Sequence, residues 1–284
     1  MHRLVCLGDS LTQGFKSGAI FEPDLSFPAI IAWEMGLSGA EFRYADFSGE
    51  GGLPVNIEYL LRRVDQQFGQ QLSPWETPLA GIHLHRWMDR TEDYWERGVG
   101  SLPLLQPGPH QNLAVWGFEL QDAYQLNAGL CQEIIGTARD GWLNQLPEQA
   151  MYRTARRVLN PTQSRRPADL EATQLHRTAE LARGDGIENL IVFLGGNNVL
   201  SSVTGLRLEE STDADLDRID PRTRTATVYR PEHFDELLKR LMGKLEALAD
   251  DRGRVDRVFW GSVPPVTIPP VTNGVGGRME SAGS

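Results

Sequence analysis

A chain of 284 residues, 40% hydrophobic and 8% aromatic, suits one large α/β domain or at most two small ones, with a sizeable core. A formal net charge of −10 argues against nucleic-acid and anionic-membrane partners, whose surfaces demand concentrated Lys and Arg. No apolar stretch reaches the roughly 18 residues of a membrane helix, and the strand-like start leaves no room for a signal peptide, so as written the chain is expected to be soluble and cytoplasmic.

The first predicted strand is RLVCL at 3–7, and it stops at GDSLTQGF, 8–15. Cys6 lies inside that run, where a small core residue is expected rather than a disulfide partner. Residues 26–36 predict a helix, with Ser26 as cap, Pro28 in the first turn and Gly36 as stop. FRYADF, 42–47, predicts a second strand, and residues 56–68 a helix carrying Ile57, Leu60, Leu61, Val64 and Phe68 on one face. Residues 69–111 are long, polar and Trp-rich, and fit no regular alternation; they read either as a satellite core or as an apolar cap over a site. NLAV, 112–115, predicts a third strand, followed by helical periods over 119–138 and, more weakly, 169–183. LIVFL, 190–194, and RVFWGS, 257–262, complete five predicted strands. Between them lie a charged excursion at 203–230 and a helix carrying Phe234, Leu237, Leu238, Leu241, Leu245 and Leu248. The expected unit is a single domain over 1–270 with a flexible Pro- and Gly-rich tail at 271–284. Strands alternating with helices predict a mainly parallel five-stranded sheet covered on both faces.

Ligands in open α/β sheets bind at the carboxyl ends of the strands. Gly8-Asp9-Ser10, Trp116-Gly117-Phe118 and Gly195 to Asn198 each follow a predicted strand, so they should share one edge. Together they supply a kit for acyl transfer. Ser10 would be the nucleophile, and an oxyanion hole would form from the Ser10 N–H, the Gly117 N–H and the Asn197 side-chain amide. Taken singly, Ser10 also reads as a turn residue, Gly117 as an ordinary turn glycine and Asn197 as a loop amide bonded to backbone. GDSLTQGFK is not a phosphate-binding loop, because five residues separate its glycines and Phe15 precedes Lys16. His83 and His85 have no visible third ligand, so neither a metal nor any other cofactor is expected.

Three blocks in order resemble the GDSL, or SGNH, serine hydrolases: GDSLTQGF with Ser10, NLAVWGF with Gly117 and LGGNN with Asn197. The third block usually ends Asn-Asp, whereas here it ends Asn197-Asn198. The resemblance implies a flavodoxin-like three-layer αβα sandwich and hydrolysis of a small-molecule ester or lipid. It also implies a closing Asp-x-x-His block, which none of His2, His83, His85, His110, His176 or His233 supplies. A serine hydroxyl is a poor nucleophile without a base in reach. The simplest expectation is a fragment that stops short of the base. The alternative is a binding protein that keeps the pocket without the chemistry.

Overall fold

The computed structural model describes residues 1–105, 108–138, 146–204, 206–250 and 253–263. At its centre is β1, Val5–Gly8, every residue of it buried. α1 (Ser10–Gln13), β2 (Ala19–Ile20) and α2 (Phe27–Glu34) follow, and then β3 (Leu53–Pro54), which pairs antiparallel with β2. α3 spans Ile57–Phe68 and α4 spans Glu76–Glu96. After the 112–118 segment come α5 (Asp122–Gln125), α6 (Ala128–Gly136), α7 (Ala150–Leu159), α8 (Pro167–Leu170) and α9 (Gln174–Gly184). β4 (Ile187–Phe193), α10 (Asn197–Thr204), α11 (Asp213–Asp217), α12 (Pro231–Asp250) and β5 (Val255–Trp260) complete the order.

β1, β4 and β5 form a parallel sheet in that order, with Leu7 beside Val192 and Val192 beside Trp260. Side chains alternate across a strand, so the sheet has two apolar faces. Val5, Leu7, Leu190 and Val192 belong to the larger core, with Ala179 and Ala182 of α9 and Leu237 and Leu241 of α12. Leu4 and Cys6 face the other way and pack with Ala29 and Ala32 of α2 and with Phe42. Helices therefore cover both faces, which is compatible with an αβα sandwich. Cys6 and Cys131 are both free and buried.

The expected five-stranded sheet is not what the described residues form; three strands pair in it. Residues 111–115 do run parallel to β1: Cys6 N–H donates to Gln111 O (2.8 Å), Leu113 N–H to Cys6 O (2.9 Å) and Val115 N–H to Gly8 O (3.1 Å). On their far side, however, the backbone pairing found among the described residues is with Arg43 O, which accepts the Gln111 N–H (2.9 Å) and the Asn112 N–H (3.0 Å), and side chains take neighbouring backbone groups. The Gln111 amide oxygen accepts the Arg43 N–H (2.9 Å), and the Asn112 amide oxygen accepts the Ala114 N–H (3.2 Å). Residues 42–47 lie against this segment without becoming a strand.

Single predicted helices also divide. The 119–138 period breaks after α5, because the Asn127 side chain caps α6 by accepting the Leu130 N–H (2.8 Å). The 169–183 period starts anew at Thr173, which caps α9. Residues 69–111 are chiefly helix, not loop. Trp95 on α4 is 2% exposed in the main core, beside Phe47, whereas Trp75 is 81% exposed. Trp87 lies beside His83, whose other side meets Phe68. The 271–284 tail and the end of the proposed domain, 264–270, lie outside the described residues.

Replacing Trp95 by Ala should cost about 3–5 kcal/mol in chemical denaturation, as for other buried aromatics, and Trp75→Ala within roughly 0.5 kcal/mol. Equal effects at the two positions would remove Trp95 from the core.

Candidate active site

Ser10 opens α1 because Asp9 caps it, its carboxylate accepting the Leu11 N–H at 3.3 Å. Gly8 must lack a side chain: a Cβ there would lie 2.2 Å from Thr12 Oγ1. Gly14, at φ +90°, ends the helix after one turn and donates to Ser10 O. Ser10 is half-buried, and neither its N–H nor its hydroxyl has a partner among the described residues.

Val115 to Phe118 form a tight turn in which the Phe118 N–H donates to Val115 O (3.3 Å). Its third position, Gly117, has φ +81°, which an L side chain rarely adopts, and a Cβ would meet Met151 Sδ at 3.0 Å. That conformation leaves the Gly117 N–H without an internal acceptor among the described residues. The neighbouring Trp116 N–H is held by Gln13 Oε1 (2.8 Å), its indole N–H by Thr154 Oγ1 (3.0 Å), and its ring lies 5.4 Å from that of Phe15. Trp116 is thus a brace between the first and second loops.

Asn197 begins α10, and its amide nitrogen donates to Phe118 O at 2.8 Å. One amide proton is thereby held beside the Gly117 turn, and the amide carries a second. Asn198, fully buried, accepts the Leu120 N–H (2.9 Å) and donates to Gln121 Oε1 (3.1 Å). The Asp9 N–H donates to Phe193 O (3.3 Å), and the Asp9 carboxylate lies against Gly196. Ser10, Gly117 and Asn197 are therefore carried together by the carboxyl ends of adjacent parallel segments.

Burial pushes the Asp9 carboxyl up to about 7, against the backbone N–H groups that favour its charge. A second buried carboxyl behaves alike. Glu119 is pushed up to about 7 by burial and by Asp122, with Arg224 and the Tyr229 hydroxyl opposing. Arg224 reaches Glu119 at 3.0 Å and Asp122 at 2.8 Å, and the Tyr229 hydroxyl donates to Glu119 (2.9 Å). The 203–230 segment, expected only as a charged excursion, thus plugs its Arg and Tyr into the loop that carries Gly117. Its order in sequence shows only charge; the pairing partner lies 105 positions away. Gln174 is another residue that periodicity cannot single out. Its amide donates to both Gly8 O (2.9 Å) and Leu113 O (2.8 Å).

No histidine hydrogen-bonds Ser10 among the described residues. His2 and His110 lie at the amino ends of β1 and of residues 111–115, away from Ser10. His83 and His85 are on α4, and His176 pairs with Glu180. His233 is tied to the loop that carries Asn197, since neighbouring Phe234 packs on Gly195 and Tyr229 N–H donates to Asn198 O. Its two ring nitrogens are occupied by Ser211 Oγ (2.8 Å) and Asp213 Oδ1 (3.0 Å). This Ser-His-Asp set has the wrong exposure for catalysis: Ser211 is fully buried and also accepts the Arg230 N–H, while the Asp213 side chain is 99% exposed. Nor do three His, Cys, Asp or Glu side chains gather as for a metal among the described residues.

Comparison with models of protein families, with curated proteins and with solved structures finds no match to this chain.

Two outcomes test this geometry. Gly117→Ala should destabilise by about 1–2 kcal/mol, the cost of a left-handed L residue, with Met151→Ala recovering only part of it. For Asp9, the folded chain holds the proton more tightly than the unfolded one. Its contribution to stability is therefore fully present below about pH 4 and is lost as pH rises to about 7. Asp9→Asn, which keeps a capping oxygen, should be more stable than the parent at pH ~8 by on the order of 1–4 kcal/mol, and the gain should vanish near pH ~4. A constant difference across that range would place the Asp9 carboxyl in water.

Proposed function

We propose that this chain carries the acyl-transfer half of an SGNH-type ester hydrolase. What supports the reading is that Ser10 and Gly117, whose N–H groups have no partner among the described residues, and Asn197, whose amide donates to Phe118 O, stand on loops that follow adjacent parallel segments. Ser10 Oγ would add to the ester carbonyl carbon. The carbonyl oxygen, gaining charge, would take hydrogen bonds from those donors, each worth about 2.7–4 kcal/mol of transition-state stabilisation. The alkoxide would then leave, and water would release the acid from the acyl-serine.

A flavodoxin-like arrangement of the sheet is part of the proposal. In space, residues 111–115, β1, β4 and β5 stand side by side, which in chain order reads 2-1-3-4. The flavodoxin-like order is 2-1-3-4-5. Its switch point, between the first and third segments, is where the Ser10 and Asn197 loops diverge, and that supports a ligand there.

Among the described residues, the proton on Ser10 has no acceptor in place. Turnover by these residues alone should therefore be slow, near the roughly 10³–10⁴-fold over water that an oxyanion hole and binding sustain without a base. A second reading, a binding protein without turnover, is favoured by the same observation. Short aryl esters separate the two, assayed with and without added imidazole as a soluble base. The hydrolase reading expects imidazole to accelerate the parent more than Ser10→Ala and Gly117→Ala, with acyl-Ser10 detected by mass spectrometry. Identical rates for parent and Ser10→Ala at every imidazole concentration, with ester binding retained, would leave the binding protein.

A further inference from the structure

A pocket of ≈ 400 Å³ opens between α3 and α4, and none of the residues of the Ser10, Gly117 and Asn197 loops lines it. α3 contributes Tyr59, Arg62 and Arg63, and α4 contributes His83 and Trp87. Gln66 and Gln67, both exposed, complete the wall.

Ring contact, rather than hydrogen bonding, holds the two central side chains. The Arg63 guanidinium lies 4.6 Å from the centre of the Tyr59 ring and 5.7 Å from that of Trp87. The His83 ring lies 5.7 Å from Trp87 and 5.6 Å from Phe68. Stacking orients a guanidinium by its flat face and leaves its N–H groups on the open edge. Among the described residues, no N–H of Arg63 meets an acceptor, and neither ring nitrogen of His83 has a hydrogen-bond partner. Arg62 is half engaged: Glu58 Oε1 takes its Nε–H (2.9 Å) and an Nη2–H (2.7 Å), and its Nη1 end stays open. No carboxylate lines the pocket. Glu58 is occupied by Arg62, and Glu50 lies 3.7 Å from Arg90. Asp65 and Asp89 stand two positions along from Arg63 and Trp87, on other faces of their helices.

Donors that are already oriented cost less to order on binding. A carboxylate has two oxygens, and a single guanidinium satisfies both. A phosphate monoester has a third, which the open edge of a neighbouring guanidinium can serve. The side-chain amides and the imidazole both donate and accept, which suits hydroxyl groups.

We propose that this pocket is a second ligand site, for a small phosphorylated sugar or polyol, with its phosphate on Arg63 and Arg62 and its hydroxyls toward His83 and Gln66. The site is independent of whether Ser10 reacts.

Calorimetric titration of the full chain at neutral pH with glucose 6-phosphate, glucuronate and glucose tests this. The three share a sugar ring and differ at its exocyclic carbon. Glucose 6-phosphate should bind saturably at one site and glucose at least about tenfold more weakly, the worth of a charge-assisted hydrogen bond, with glucuronate between them. Arg63→Gln should bring glucose 6-phosphate down to the glucose level. Arg63 also covers the Tyr59 ring, so Gln66→Glu, at an exposed position, gives a second measure: a like charge there should weaken glucose 6-phosphate and spare glucose. Ser10→Ala should bind glucose 6-phosphate as the parent does. No binding of glucose 6-phosphate, or an affinity equal to that of glucose or of glucuronate, would overturn the proposal. So would a phosphate preference that survives either substitution in α3, or one that is lost in Ser10→Ala, which would move the ligand to the other site.

Discussion

A buried carbonyl must find donors, and the Gly8 carbonyl has two, the Val115 N–H and the Gln174 side-chain amide. The candidate site depends on this junction. It joins the end of β1 to the segment that carries Gly117, and it anchors the start of α9 above both. Parallel strands must finish at the same edge, so fixing those ends brings the loops that follow them into one place. The Asp9 N–H on Phe193 O then adds the third strand end.

What orients the groups within those loops is a second, more polar layer. Asn197 and Asn198 point their amides into the 118–121 backbone, and Gln121, Glu119 and Tyr229 continue the chain of bonds to Arg224. Such a network is costly if any member is lost, because each remaining group is then buried unpaired. Burial, and then the neighbouring Asp122, leave Glu119 only weakly disposed to ionise although Arg224 opposes them, and burial does the same to Asp9. The site edge therefore holds two groups that change charge near neutrality, one on each side of Ser10 and Gly117.

The contrast between Ser10 and Ser211 shows what distinguishes a candidate nucleophile from a structural hydroxyl. Ser211 has the histidine and the aspartate but no access, and it serves to pin the 203–230 segment to α12. Ser10 has access and donors but, among the described residues, no base. Chemistry needs both on one residue, and residue type alone does not report either.

Much of the architecture was legible from periodicity. β1, β4, α2, α3 and α12 lie within a few residues of where the apolar patterns put them, because a buried strand run and an amphipathic stripe are local consequences of which side chains avoid water. The three loops were legible too, since glycine at a left-handed turn and a cap such as Asp9 declare themselves in a few residues. The sheet width was not. Residues 42–47 and 112–115 have strand-like composition, but the side-chain amides of Gln111 and Asn112 take the Arg43 and Ala114 N–H groups, and the backbone of Gln111 and Asn112 meets the other segment at Arg43 O. The long 69–111 segment hid a 21-residue helix, because its apolar face is broken by Thr91 and Glu92, buried through contacts elsewhere in the chain. By itself the sequence determined the alternation of strands and helices, the position of Ser10 after the first strand and the absence of an Asp-x-x-His histidine. Only the tertiary structure decided which histidine nitrogens are occupied and that Arg224 closes on Glu119. Each of those depends on partners far apart in the chain, and their meeting is set by packing rather than by local pattern.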